Sequence, residues 1–140
     1  MAVTAKSFAY AAAQDRAGRV SADNGPPGDV PADWKPEHLV LAGLVRCTLA
    51  SLRYHARYAG IDDVVASAAA RGRVTKREED ERYAFVEIDC DFDVELDSRL
   101  APAEVAELVA KAERDCFVGA SLTPSPRYRW TVNGEDVPAG

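Results

Sequence analysis

The clearest pattern in this sequence is an alternation of apolar and polar residues between Tyr83 and Asp97. A period of two over about fifteen residues is typical of a β-strand with one buried and one solvated face. The predicted buried face carries Ala84, Val86, Ile88, Cys90, Phe92, Val94 and Leu96. The other face carries an acidic stripe, Glu87, Asp89, Asp91, Asp93 and Glu95, which we interpret as a solvated surface rather than a calcium site.

Two segments have helical patterns, and a proline stands at the start of each. Pro36 opens a helix that is predicted to run to Ala59 and to end at Gly60, because proline suits a first turn and glycine suits a C-terminal cap. Its first half, residues 39–45, is apolar nearly all round, which predicts burial on several sides. Pro102 opens a second helix to about Arg114, with an apolar stripe at Val105, Leu108, Val109 and Ala112.

The remaining segments predict short strands and turns. Residues 5–12 and 17–22 are predicted strands joined by a turn at 14–18, residues 64–74 a strand, and residues 127–132 a final strand. A short turn or helix is expected over 117–122. The order β-β-α-β-β-α-(turn)-β, with strands in hairpins rather than βαβ crossovers, predicts an α+β fold forming a single domain over residues 1–140.

Composition narrows the function classes. The net charge is −6 and the isoelectric point about 4.9, which argues against a nucleic-acid partner. The longest apolar stretch is too short to cross a membrane, and the N-terminus lacks a signal-peptide pattern, so the protein is expected to be cytoplasmic with no membrane partner. Three cysteines exclude a full disulfide framework within the chain, and a cytosolic disulfide is more often transient and catalytic.

The cysteines are the main candidates for chemistry. Cys47 lies within the first helix in an apolar setting, where a cysteine is commonly a small hydrophobic residue. Cys116 follows the second helix at a break, where a thiol is expected to be more accessible. Cys90 belongs to the apolar face of the best strand and is expected to be core. Cys47 and Cys116 together suggest a thiol pair that the fold brings together, with one thiolate attacking and the other resolving.

Charged neighbours could tune such a thiol. Glu37 stands ten residues before Cys47, on nearly the same side of the helix but about 15 Å away along its axis. It could therefore orient a cation but not touch the thiol. Arg16 and Arg19 in the first hairpin are candidates for that cation, since a guanidinium lowers a thiol pKa, and Arg16 is the stronger one because it lies in the turn. No metal-ligand spacing or cofactor-binding motif is evident, so no metal and no cofactor are expected.

These residues resemble a known family. Residues 36–52, from Pro36-Glu37 through Arg46-Cys47 to Leu52, are similar to the helix of OsmC/Ohr-type proteins (osmotically inducible protein C and organic hydroperoxide resistance protein), whose glutamate and peroxidatic cysteine are also ten residues apart. Residues 112–122 resemble the segment with the family's second cysteine. The predicted element order agrees as well, so the resemblance covers nearly the whole chain.

The resemblance implies an OsmC-like fold, with antiparallel sheets wrapped around two central helices in an intertwined homodimer. It implies reduction of organic hydroperoxides and hydrogen peroxide in oxidative-stress defence. Cys47 would then be the peroxidatic thiol and Cys116 the resolving thiol. Glu37 would hold the arginine beside Cys47, which would be Arg16, with Arg19 as the alternative. An external dithiol would reduce the resulting disulfide.

Three alternatives stay open at this point. The protein could be a non-catalytic OsmC-like protein that binds a small molecule or a partner, since the chain departs from the family pattern at Arg46 and Phe117. It could be a thiol hydrolase with His55 as base, although His55 lies about 12 Å along the helix from Cys47. It could also be an interaction module whose acidic strand face meets a basic partner.

Overall fold

The computed structural model describes residues 5–139, and the chain divides into two compact units between Lys35 and Pro36. In the N-terminal unit, β1 (Ala12–Gln14) pairs antiparallel with β2 (Val20–Ala22). The Asp15 carboxylate closes the turn by accepting hydrogen bonds from the backbone N–H groups of Ala17 and Arg19. The strand predicted over 5–12 is wrong for most of its length, because this alanine-rich stretch has little preference for extended structure.

In the C-terminal unit, helix α1 (Pro36–Tyr58) confirms the prediction to within one residue. Gly60 follows with φ of +82°, a conformation that favours glycine. Only one stripe of α1 is fully buried, formed by Leu44, Thr48, Leu52 and Ala56. The expectation of burial on several sides is therefore wrong for the single chain, since Leu39 keeps 45% of its surface exposed.

The C-terminal unit also contains a four-stranded sheet, in the order β3-β4-β5-β6. Its strands are β3 (Val64–Lys76), β4 (Tyr83–Leu96), β5 (Arg127–Val132) and β6 (Glu135–Asp136). β3 and β4 form the expected antiparallel hairpin. β4 and β5 are parallel, because α2 (Pro102–Arg114) and α3 (Phe117–Ser121) carry the chain back across the sheet. The α+β class is confirmed, but the expectation of hairpins without a crossover is wrong for this pair.

The core lies between the helices and one face of the sheet. The alternation in β4 is confirmed, since Ile88, Cys90, Phe92 and Val94 are all buried. Phe92 stacks on Trp130 of the neighbouring strand with ring centroids 4.2 Å apart. Buried residues of α1 and α2 close the core from above, among them Leu44, Leu52, Leu108, Val109 and Ala112. None of the helices in the described residues is long and apolar enough to span a membrane.

The opposite face of the sheet is a ladder of ion pairs rather than a bare acidic stripe. Asp89 and Asp91 on β4 pair with arginines of the flanking strands, Asp91 with Arg71 at 2.6 Å and Asp89 with Arg127 at 2.8 Å. Glu87 pairs in the same way with Arg73. Because the strand register places these opposite charges side by side, the face has mixed charge. The carboxylates of Glu87, Asp89 and Asp91 are therefore balanced by arginines of the same sheet.

Candidate functional site

The fold brings Cys47 and Cys116 together from two different elements. Cys47 lies in the middle of α1, and Cys116 is the N-cap residue of α3, at the break that follows α2. Both cysteines are free, and the Cys116 side chain is within hydrogen-bonding reach of the Cys47 thiol. Two adjacent reduced thiols that belong to different helices are able to form and break a disulfide.

The exposure of the two thiols is the reverse of the expectation. Cys116 is fully buried at 0% exposure, whereas Cys47 is only partly buried. The break after α2 does not open Cys116 to solvent, because α3 folds back against α1 and the Cys116 sulfur comes to rest 4.0 Å from the Leu44 carbonyl oxygen. Cys47 is therefore the thiol that an incoming molecule can meet first.

Opposing effects act on Cys47. Burial raises the pKa of this thiol, and the neighbouring Cys116 side chain adds to the rise. Backbone N–H groups of Val118 and Phe117 lower the pKa in part, since they favour the thiolate. The net direction is upward, which favours the protonated form of the Cys47 thiol.

The sulfur of Cys116 has two donors that the sequence analysis missed. The backbone N–H of Gly119 donates to it at 3.3 Å, and the hydroxyl of Thr48 lies 3.3 Å away. Thr48 is the one buried polar side chain among the described residues. The signal that could have found it is its position four residues after Leu44 on the buried stripe, where a hydroxyl needs a partner.

The predicted thiolate partners lie in different units of the chain. Glu37 is an exposed residue in the first turn of α1. Arg16 and Arg19 belong to the N-terminal unit, where Arg19 pairs with Asp15 at 3.3 Å and Arg16 lies in the turn. A contact among Arg16, Glu37 and Cys47 stays a prediction.

A second polar cluster borders the thiols. His55 Nε2 lies 2.7 Å from the carboxylate of Asp115, the residue immediately before Cys116. The guanidinium of Arg114 and the contact with His55 lower the pKa of Asp115 to about 2. In the continuous helix α1, His55 lies eight residues after Cys47, about 12 Å along the axis, so it is too far away to act as the general base for this thiol.

Cys90 lies in the core below the pair, 1% exposed on β4. Burial and the neighbouring Cys116 raise the pKa of its thiol to about 11. Its assignment to core packing is confirmed. A buried thiol that stays protonated is a poor nucleophile, so Cys90 is a natural control for the other two cysteines.

Comparison with known proteins shows the family to which the chain belongs. A family model described as OsmC-like protein matches residues 27–131, which is well over half of the chain. The chain belongs to the OsmC-like family. The comparison with curated protein sequences gave no match.

Solved structures of the same fold include an OsmC-like protein from Mycoplasma pneumoniae, with a TM-score of 0.64, 15% identity and coverage of 92% of this chain and 99% of that chain. An organic hydroperoxide resistance protein from Elizabethkingia anophelis has a TM-score of 0.62 at 18% identity, covering 92% and 98%. The organic hydroperoxide resistance protein OhrB of Bacillus subtilis has a TM-score of 0.53 at 21% identity, covering 89% and 96%. At these identities the likeness establishes the fold.

Proposed function

We propose that this protein is a cysteine-based peroxidase that reduces organic hydroperoxides, with Cys47 as the peroxidatic thiol and Cys116 as the resolving thiol. The observation that carries the proposal is the adjacency of these thiols, one partly exposed and one fully buried. A buried thiol cannot readily meet an external oxidant, but it can react with a neighbour. The difference in burial thus supports the roles that the family resemblance implies, with Cys47 as the peroxidatic thiol and Cys116 as the resolving thiol.

The chemistry has two steps. The Cys47 thiolate attacks the peroxide O–O bond, the sulfur takes the terminal oxygen as sulfenic acid, and the alkoxide leaves and takes a proton to become an alcohol. Cys116 then attacks the sulfenic sulfur, which forms the disulfide and releases water. An external dithiol reduces the disulfide and returns both thiols.

Activation of Cys47 is assigned to Arg16 held by Glu37. Burial and Cys116 raise the pKa of Cys47, and the Val118 and Phe117 amides offset this only in part. A guanidinium supplies the missing positive charge and keeps it at any physiological pH. Neutralising Arg16 should therefore slow the reaction with peroxide, and Arg19→Gln is the matched control.

The preferred substrate is an organic hydroperoxide rather than hydrogen peroxide. Val40 and Tyr54 lie seven residues before and after Cys47, two turns away on the same side of α1, and both are exposed. Such apolar flanks favour a substrate with an apolar group. Equal rates with cumene hydroperoxide and hydrogen peroxide would contradict this assignment.

The active form is proposed to be a homodimer. Large apolar side chains of α1 stay exposed in the single chain, namely Leu39, Val40, Tyr54 and Tyr58. Large apolar side chains exposed along one helix favour an interface with another chain. Light scattering coupled to size-exclusion chromatography should give twice the chain mass, and a monomer would overturn this part of the proposal.

The first test is an intact-mass measurement before and after one equivalent of cumene hydroperoxide. The wild-type chain should quickly lose two hydrogen atoms, and Cys47→Ser and Cys116→Ser should not. Cys90→Ser is the matched control and should behave as wild type. If all three thiols of the wild type can still be alkylated once the peroxide-treated protein is unfolded, the peroxidase proposal is wrong.

The second candidate is a non-catalytic protein that binds a small molecule or partner. The raised pKa of Cys47 favours it, because a protonated thiol reacts slowly with peroxide. Unchanged thiols after peroxide, together with protection of Cys47 from alkylation by an apolar ligand, would support this function instead.

A further inference from the structure

Thr48, the residue after Cys47, lies on the buried side of α1 and contacts Cys116. Thr48 is fully buried at 0% exposure, and its hydroxyl oxygen lies 2.9 Å from the Leu44 carbonyl oxygen and 3.3 Å from the Cys116 sulfur. A hydroxyl carries a single proton, so it donates to one of these two acceptors at a time. Thr48 therefore has two alternative hydrogen bonds, one of which reaches the buried thiol.

When the Thr48 hydroxyl donates to the Cys116 sulfur, the Leu44 carbonyl oxygen still has a hydrogen-bond donor. In the regular ladder of α1 the Leu44 carbonyl also accepts the backbone N–H of Thr48, four residues later. It stays satisfied when the hydroxyl leaves. A hydrogen bond to an ionised acceptor is about twice as strong as a neutral one, so ionisation of Cys116 draws the proton of Thr48 toward the sulfur.

Tyr128 and Gly119 support this arrangement from the other side. Burial raises the pKa of Tyr128, so its phenol stays protonated beside the Thr48 hydroxyl. A Cβ on Gly119 would lie 2.9 Å from the phenol oxygen and 3.4 Å from the Cys116 sulfur. The absence of a side chain at Gly119 lets its N–H, the phenol and the sulfur approach one another.

We propose that Thr48 is a positioning residue for the disulfide-forming step, which holds and stabilises the Cys116 thiolate as it attacks the sulfur of Cys47. The inference rests on the proposed function. In this step the Cys116 sulfur forms the S–S bond and is oxidised. The sulfenic sulfur of Cys47 is reduced as its S–O bond breaks. The departing hydroxide combines with the proton that Cys116 gave up, and water is released.

The test avoids peroxide. Ellman's reagent at one equivalent labels the partly exposed Cys47 as a mixed disulfide in a Cys90→Ser background. Cys116 then attacks the Cys47 sulfur and expels a second coloured thiolate, and Cys116→Ser sets the baseline. We expect Thr48→Val to slow this second release about tenfold or more, since a hydrogen bond to a charged group is worth roughly 1.5–3 kcal/mol. Thr48→Ser should restore it to within about threefold of the parent rate.

The outcomes separate the two proposals. Release from Thr48→Val at the parent rate, or equal slowing by Thr48→Val and Thr48→Ser, would overturn the role of Thr48. If Thr48→Val does not fold, Thr48→Ala takes its place, because it also removes the hydroxyl that contacts the Cys116 sulfur, and release at the parent rate then overturns the proposal. A parent protein that releases the second thiolate quickly but does not consume cumene hydroperoxide refutes the peroxidase and leaves Thr48's role standing.

Discussion

Replacing Asp115 with asparagine should destabilise the protein at neutral pH but not in acid. The carboxylate of Asp115 bonds the Arg114 guanidinium at 3.0 Å and His55 Nε2 at 2.7 Å. These contacts, Arg114 first, lower its pKa from 3.8 to about 2. Because the folded pKa lies below the unfolded one, this carboxylate stabilises the fold above pH 3.8 and the contribution is lost as the pH falls toward 2.

The size of the effect follows from the same contacts. Lowering the pKa from 3.8 to about 2 corresponds to a ceiling of roughly 2.4 kcal/mol in the free energy of unfolding. Solvent screens both partners, however, since the side chain of Asp115 is 39% exposed and that of Arg114 is 70% exposed. We therefore expect a loss of about 1 kcal/mol for Asp115→Asn at neutral pH.

Urea unfolding followed by tryptophan fluorescence at one protein concentration measures this difference, because Trp130 is buried. The gap between wild type and Asp115→Asn should close as the pH falls from about 4 to about 2. Glu107→Gln is the control, since its (i,i+4) pair with Lys111 lies on the α2 surface and is worth about 0.5 kcal/mol or less. A deficit that is constant with pH, or no deficit at neutral pH, would refute the reasoning.

Three further changes test the packing by urea unfolding. Tryptophan fluorescence follows Leu52→Ala and Gly60→Ala, and far-ultraviolet circular dichroism follows Trp130→Phe, which lacks the buried fluorophore. Leu52→Ala should lower the free energy of unfolding by about 2–5 kcal/mol, because Leu52 is 1% exposed and a cavity would remain. Trp130→Phe removes the 2.8 Å bond to Glu113 and should cost about 1–3 kcal/mol. Burial raises the pKa of Glu113 and the bond from Trp130 offsets part of that rise by favouring the carboxylate, so the loss should grow as the pH rises and Glu113 ionises. Gly60→Ala, at φ of +82°, should cost about 1 kcal/mol through backbone strain alone. Losses below about 0.5 kcal/mol would contradict each expectation.

Local sequence patterns were sufficient for the main elements. Pro36 and Gly60 mark the ends of α1, and Pro102 marks the start of α2, because proline and glycine act on the backbone where they stand. The alternation along β4 identified its buried face for a similar reason, since neighbouring side chains of a strand point to opposite sides. The placement of Cys47 on a helix and of Cys90 in the core followed from the same patterns.

Which elements and side chains meet across the fold was decided by the tertiary structure. The parallel pairing of β4 with β5 depends on how α2 and α3 return the chain across the sheet, and no residue of either strand encodes that direction. The ion pairs between acidic residues of β4 and arginines of β3 and β5 form because the register of the three strands places these residues side by side.

In the candidate site as well, the sequence identified the residues and the tertiary structure decided their surroundings. The sequence and its family resemblance singled out Cys47 and Cys116, but the greater burial of Cys116 and the contact with Thr48 arise where α3 packs on α1. Thr48 and Cys116 are 68 residues apart, so no local pattern could join them. Local backbone preferences determine the elements, whereas the burial and hydrogen bonding of a side chain depend on contacts between residues far apart in the chain.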